Sequence, residues 1–550
     1  MNRFALVAVA AVFIFGAAAS ASTGMEDLMT VKTQLDKFSP VTIKVDSKLL
    51  DARQKKMVKE LVAAADYIDK IFLMQVYENN YEIKKKLEAS KGKKSALLEY
   101  FKINYGPFDR LDHDKPFVEG VGFKPLGANF YPSDMTKDEF EKWLKKHPKD
   151  RPAFESNFTV IKRDDKRLIA VPYSVEYKDF LEPAADHLRK AAKYADNATL
   201  KKYLLSRADS FLSNDYYQSD VDWVRMKDHD IEVVIGPYEV YEDSLFGYKA
   251  AFEAFVTRVD PKESERLAKV VAYMGDLEKN LPIDDRYKGL GRNLESPIIV
   301  AQEIYTAGDT RAGVQTLAFN LPNDERVRKE EGSKKVMLKN VQTAKFNKVL
   351  IPIAKKVLDP KDVANVDYEA FFAHTLLHEV SHGIGPGEIV KNGRKTTVNK
   401  ELKELYSVIE EAKADVLGAY NNVYLTKKGL YEKNFIDVIW PTYLAGMFRS
   451  VRFGINEAHG GANAIQFSYL LDKGAVKYNE KTGLFSIDET KIDSAVRSLA
   501  SELLMIEARG DYESAKKFVA KYRKMPESMK NAISRLDSVP VDIKPTYAIK

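Results

Sequence analysis

The chain has 550 residues, 45% of them hydrophobic, with 86 Lys and Arg against 80 Asp and Glu and no cysteine. Disulfides and thiolate metal sites are thereby excluded, so the fold must be held by an apolar core, which at this length is large and divided among more than one domain. A formal net charge of +6 is mild for such a length and does not point to a nucleic-acid partner.

Residues 1–21 read as a cleavable secretory leader. Arg3 supplies a short basic start, Phe4 to Ala18 an apolar run, and Ala19-Ser20-Ala21 a small-residue cleavage site. The expected product is a periplasmic or secreted protein cut after Ala21, with no membrane contact once the leader is gone. An uncleaved anchor is the alternative, for which the run is short. No cysteine follows it, which excludes a lipoprotein anchor, and no later segment has the length and apolarity of a span.

A strand is predicted from the alternation of Val41, Ile43 and Val45, followed by a helix with Met57, Leu61, Ala64, Ile68 and Phe72 in register. Lys84 to Lys86 and Lys91 to Lys94 form a basic cluster without interleaved aromatics, which reads as a solvated helix face. Residues 104–135, rich in Gly, Pro and aromatics, read as a loop wrapped over a core. A helical pair is predicted over 181–213, with Pro183 near a helix start, bracketed by β-type runs at Leu168 to Ser174 and Ile231 to Tyr241. From residue 260 to about 525 the patterns read as nearly all helical.

Residues 374–387, HTLLHEVSHGIGPG, stand out. His378, Glu379 and His382 form an HExxH motif, expected by chance about 0.02 times in a chain of this composition. The apolar Tyr368, Phe371, Phe372, Leu376 and Leu377 make a helix face before it, and Gly383, Gly385, Pro386 and Gly387 end that helix just past His382. Residues four apart stack about 6 Å apart along a helix, so two imidazoles can grip one zinc while Glu379 takes a proton from a water on the metal. Zinc hydrolases usually need a third ligand. The helical pattern at 399–421, with Leu402, Leu405, Ile409, Ala412, Val416 and Ala419 on its apolar face, carries Glu410, Glu411 and Asp415. One of these carboxylates is the expected ligand, with the others orienting the histidines. His374, one turn before His378, lies about 80° around the helix from His382, which suits an orienting role.

Several motifs together resemble the dipeptidyl peptidase III zinc peptidases, and most nearly the peptidase-like part of plant proteins that fuse it to a Nudix domain. They are HEVSHGIGPG, EEAKAD at 410–415, GPYEVYEDSLFGYKAAFEAF at 236–255, NLPNDERV at 320–327 and FRSVRFGINEAHG at 448–460. The resemblance implies an α+β fold of two lobes around a wide cleft, one mainly helical and zinc-bearing, the other holding a small β-barrel plus helices. Its lower lobe would span 22–258, with 300–346 and 536–550 returning to it, and its catalytic lobe 259–299 and 347–535. It implies one Zn2+ per chain on His378, His382 and Glu411, with Glu379 activating the water. Tyr241 and His459 would stabilise the oxyanion, and Glu239, Asn320 and Asn323 would hold the substrate's free ammonium. Glu410, Asp415 and His374 would stand behind the ligands.

Read without the family, Tyr241 is a packing tyrosine, Asn320 and Asn323 are turn residues, and His459 is a helix-end or loop histidine. Many family members have one more residue between the metal histidines than this chain has. No Nudix signature is present, so nucleotide hydrolysis is not carried over. The expected function is an exported zinc peptidase that releases dipeptides from the N-terminus of oligopeptides by attack of zinc-bound water, working as a monomer or simple homodimer. An endopeptidase without N-terminal selectivity and a non-catalytic periplasmic peptide-binding protein are the alternatives. The family's basic residue for the substrate's C-terminal carboxylate has no clear match, although Arg535 lies in the corresponding tail.

Overall fold

The structure is a computed structural model that describes residues 30–90, 95–165, 167–290 and 297–548. The predicted leader and the basic stretch from Lys91 to Lys94 lie outside the described residues. The chain enters through strand β1 (Phe38–Ile43) and then helix α1 (Ala52–Val76), started by a capping box. Asp51 accepts from the backbone of Arg53 and Gln54, and the Gln54 side chain accepts from the backbone of Asp51. The predicted face Met57, Leu61, Ala64, Ile68 and Phe72 is buried. Residues 104–135 form short turns over the core, burying Phe108, Phe130 and Tyr131. The helical pair is α2 (Lys178–Ala192), with Pro183 inside it, and α3 (Ala198–Ser213).

A five-stranded sheet follows: β2 (Ile231–Glu239), β3 (Ala251–Val259), β4 (Ile298–Gly308), β5 (Ala318–Leu321) and β6 (Lys334–Leu338). Its order is β2-β3-β4-β6-β5, antiparallel except where β6 runs parallel to β4. The expected barrel is not formed among the described residues. The edges β2 and β5 do not pair, and β5, at four residues, is too short to close the sheet.

Three of the five strands fall within the stretch that sequence reading took as nearly all helical. Strand β4, IIVAQEIYTAG, is largely buried and lacks the clean alternation of a half-exposed strand. Strand β6 opens with two lysines, yet Lys334 is buried with its ammonium 2.9 Å from both Glu232 and the Trp223 carbonyl. A charge satisfied from a distant strand is invisible to local pattern.

Among the helices of the second half, five build its centre: α4 (Tyr368–Ser381), α5 (Tyr406–Lys427), α6 (Phe435–Ser450), α7 (Ala458–Asp472) and α8 (Ile492–Arg509). The helical pattern at 399–421 is not one helix. A turn at Val398–Leu402 breaks at Lys403, whose φ is +53°, and α5 starts afresh and runs on to Lys427. Strand β7 (Asp542–Tyr547) closes the chain by pairing in parallel with β1. Among the described residues no helix is long and apolar enough to cross a membrane.

Two hydrophobic cores result. One gathers Ile68, Phe72, Leu181, Leu204 and Val233 from α1 to α3 and the sheet. The other gathers Leu377, Ile409, Leu444, Ile465 and Leu499 from α4 to α8. Alternation along the sheet joins them: Ala301, Val336 and Leu338 face the first core, while their neighbours Val300 and Met337 face the second. Strands β4 and β6 are therefore the shared wall on which the helical half is mounted.

Candidate active site

Helix α4 is capped by Asp367, which accepts from the backbone of Ala370, and ends with His382 as its C-cap residue. Gly385 then turns the chain away at φ +85°. His378 and His382 stand on one face with their Nε2 atoms 3.2 Å apart. Helix α5 crosses them and sets Glu411 Oε2 3.4 Å from His378 Nε2 and 3.9 Å from His382 Nε2. The crossing is close because residue 418 is glycine. A Cβ there would meet the His378 main-chain nitrogen at 3.1 Å and the His374 carbonyl oxygen at 3.2 Å.

Three donors held by one tetrahedral ion at about 2.0 to 2.1 Å stand about 3.3 Å from one another. The three observed separations bracket that value. Glu411 Oε2 is buried without an aligned hydrogen-bond donor, the state of an oxygen that awaits a cation. His378, His382 and Glu411 are also the one group among the described residues whose ligand atoms lie close enough to share a metal. The donor set fits zinc.

The carboxylates behind the triad fix both imidazole tautomers. His378 Nδ1 donates to Asp415 Oδ1 at 2.8 Å, and His382 Nδ1 donates to Glu410 Oε1 at 2.7 Å, leaving each Nε2 lone pair facing inward. The other Asp415 oxygen accepts from Asn463 at 3.0 Å and Gln466 at 2.9 Å. Burial disfavours a charged His378, but Asp415, and then Glu379 and Glu411, more than reverse this and lift its pKa to about 9. A field that favours an extra proton there also favours a divalent cation. Burial pushes Glu410 up, but Lys413, 2.8 Å away, and His382 pull it down to about 2. His374 donates Nε2–H to the Asp415 main-chain oxygen at 3.0 Å, so that nitrogen is taken.

His459 stands at the start of α7, its Nδ1 3.1 Å from Glu411 Oε2, and that contact is the first cause of its raised pKa. Tyr241, two residues past β2, is 80% exposed. Its pKa is raised first by Glu239, then by partial burial, and further by Asp309, Glu411 and Glu253. A tyrosine from the sheet side thus shares its electrostatic surroundings with a carboxylate from α5. Glu239 ends β2; burial raises its pKa, against a hydrogen bond with Asn323. Asn323 also donates to the Tyr238 carbonyl at 3.1 Å. Asn320 lies on the edge strand β5 with its Oδ1 buried and unpartnered.

Sequence reasoning missed several contributors. Lys335 on β6 donates its ammonium to the main-chain oxygen of Glu379, which ties the sheet to the end of α4. Lys413, Asn463 and Gln466 hold the orienting carboxylates. Only Lys413, inside EEAKAD, stood in a stretch already singled out as a site helix. Arg535 donates to the Gly483 carbonyl and does not line the cavity beside the triad. That cavity, of about 490 Å³, is bounded by His378, Glu379 and His459 on the helical side and by residues 314–318 on the sheet side.

The sequence profile of peptidase family M49 matches residues 156–429. Along 94% of its length the chain is 57% identical to the DPP III of Caldithrix abyssi, covering 99% of that chain with a TM-score of 0.93. It is 43% identical to the dipeptidyl-peptidase III of Corallococcus sp. strain EGB, covering 94% of this chain and 97% of that one, with a TM-score of 0.82. It is also 38% identical to Nudix hydrolase 3 of Arabidopsis thaliana, over 95% of this chain and 74% of that protein.

Proposed function

The chain belongs to peptidase family M49, and from that premise we propose that it is an exported, zinc-dependent dipeptidyl peptidase acting on the N-terminus of oligopeptides. One observation carries the reading: three ligand atoms at tetrahedral spacing converge beside Glu379, which lines a cavity walled on the sheet side by residues 314–318. The DPP III names of the Caldithrix and Corallococcus relatives support the dipeptidyl specificity. The composition of residues 1–21 supports export.

His378, His382 and Glu411 would hold the ion. A zinc there would act as a Lewis acid on the scissile carbonyl and lower the pKa of a water to about 7. Glu379 removes the proton of the attacking water and delivers it to the leaving amine, a role that contributes on the order of 10² to 10⁴ in rate. His459 and Tyr241 donate to the oxygen on which negative charge develops. Tyr241 senses the Glu411 charge from the sheet side, which supports two lobes, 22–258 with its returning segments and the helical remainder, facing each other across the substrate. Glu239 supplies the anion and Asn320 and Asn323 the amide oxygens for an ammonium, which needs both. The buried, unpartnered Oδ1 of Asn320 is the acceptor such a group would satisfy.

The test is mass spectrometry of two pentapeptides, identical except for N-acetylation, after incubation with zinc-loaded residues 22–550. Only the free peptide should lose a dipeptide. Internal cleavage of both would replace the reading with an endopeptidase, and binding without cleavage of either would replace it with a peptide-binding protein.

A further inference from the structure

Lys335 reaches from the sheet to the base. It is buried on β6, and its ammonium donates to the main-chain oxygen of Glu379. That oxygen takes its donor from outside α4, because the amide of Gly383, four residues on, turns instead to the Val380 carbonyl at 3.0 Å. A cation suits the C-terminal end of a helix. Burial lowers the pKa of Lys335, and the first charge to oppose this is the Glu379 carboxylate. The ammonium therefore sits near both the main chain and the carboxylate of one residue.

The register of the sheet places the other end of this link. Lys335 lies directly opposite Asn320 in the antiparallel pair of β6 with β5, and opposed residues share a face with their Cβ atoms about 4.5 to 5.5 Å apart. That face is the helical side: Met337, two residues on, packs in the second core, and Ala318, opposite it, lines the cavity. On the other face Lys334 is bound by Glu232 and the Trp223 carbonyl, so β6 is held from both sides. Asn320 belongs to the proposed ammonium clamp, and Glu379 is the proposed base. One ladder pair and one lysine side chain thus join the groups that meet the two ends of a dipeptide unit, its ammonium and its scissile bond.

We propose that Lys335 is a positioning residue that fixes the distance from the ammonium clamp to Glu379, and so brings the second peptide bond of the substrate to the base. The inference rests on the peptidase reading above. Moving the cut by one residue would take a shift of about 3.4 Å, whereas a misplacement of about 1 Å already can cost about a hundredfold in rate. Loss of Lys335 therefore weakens the discrimination of substrate length before it changes the product.

The test uses two pentapeptides that differ only at the first residue, glycine in one and β-alanine in the other. The extra methylene sets the ammonium about 1.5 Å further along the chain from the scissile carbonyl. For each, kcat and KM are measured on the zinc-loaded wild type, Lys335→Met and Lys335→Arg, with zinc content and thermal melting alongside. The wild type should favour the glycine peptide by about a hundredfold in kcat/KM. Lys335→Met should lower kcat on that peptide and bring the preference below about tenfold, while Lys335→Arg, which keeps a charged donor, should hold it close to the wild-type value. The preference is a ratio taken on one preparation, so it does not depend on how much of a variant folds. Should Lys335→Met yield no folded protein, Lys335→Gln supplies the same ratio. A preference unchanged in Lys335→Met, even with a lower melting temperature, would mean that Lys335 only finishes the helix, and equal handling of both peptides by the wild type would mean that no fixed distance is enforced. Either result overturns the proposal and leaves the peptidase reading standing. Failure of the wild type to cut either peptide overturns that reading and the proposal with it.

Discussion

Asp415→Asn separates the orienting role of this carboxylate from mere packing, because the two side chains have nearly the same shape. One Asp415 oxygen accepts from His378 and the other from Asn463 and Gln466, so three donors point at two acceptors. An amide has only one oxygen. If its NH2 faces His378, that imidazole must move its proton to Nε2, the nitrogen that points at the ion; if it faces Asn463 and Gln466, three amide groups meet donor to donor. Each orientation loses at least one hydrogen bond to a charged acceptor, about 1.5 to 3 kcal/mol. That corresponds to roughly ten- to hundredfold weaker zinc binding, the range seen when such partners of metal ligands are replaced. The measurement is competition for zinc against a chromogenic chelator, with thermal melting of the metal-free protein as the control for folding. A zinc affinity within twofold of wild type would refute the argument that Asp415 sets the His378 tautomer.

Three further outcomes follow from the same geometry. Glu379→Gln should keep full zinc by elemental analysis and lose turnover by at least 10² to 10⁴, whereas Glu411→Ala should lose zinc in dialysis; retention of full occupancy by the latter would mean another third ligand. Gly418→Ala sets a methyl against the His378 main-chain nitrogen and the His374 oxygen, so α5 must back away; about 1 to 3 kcal/mol of stability should go, read by denaturant melting, together with zinc affinity. Glu303 on β4 is buried, and its pKa is raised to about 7, chiefly by burial, against a 2.9 Å hydrogen bond from Tyr547. The folded state thus holds this proton more tightly than the unfolded chain, so its contribution is full below about pH 4.5 and is lost as pH rises through about 7. Wild type should lose on the order of 3 kcal/mol across that window through this group, and Glu303→Gln should flatten the slope in melts at pH 5 and 7.

What was legible in the sequence was local. HExxH names its own geometry, because a four-residue spacing on a helix has one spatial meaning, and the apolar faces of α1 and α5 are periodic over several turns. Glu410, Glu411 and Asp415 could be shortlisted for the same reason. Which of them meets the histidines depends on the crossing of α4 and α5, set by a glycine that no ligand pattern includes. The sheet was read poorly where its strands are buried on both faces, since alternation vanishes when both sides meet a core. There β4 and β6 went unseen, and with them the wall that carries the helical half.

Lys413 apart, whose partner Glu410 is three residues away, the unread residues share a physical property: each acts through a partner far away in the chain. Lys334 is paired with Glu232, Lys335 with the Glu379 carbonyl, and Gln466 with Asp415. A buried charge is tolerated only where its partner also lies, so such residues mark tertiary contacts rather than elements.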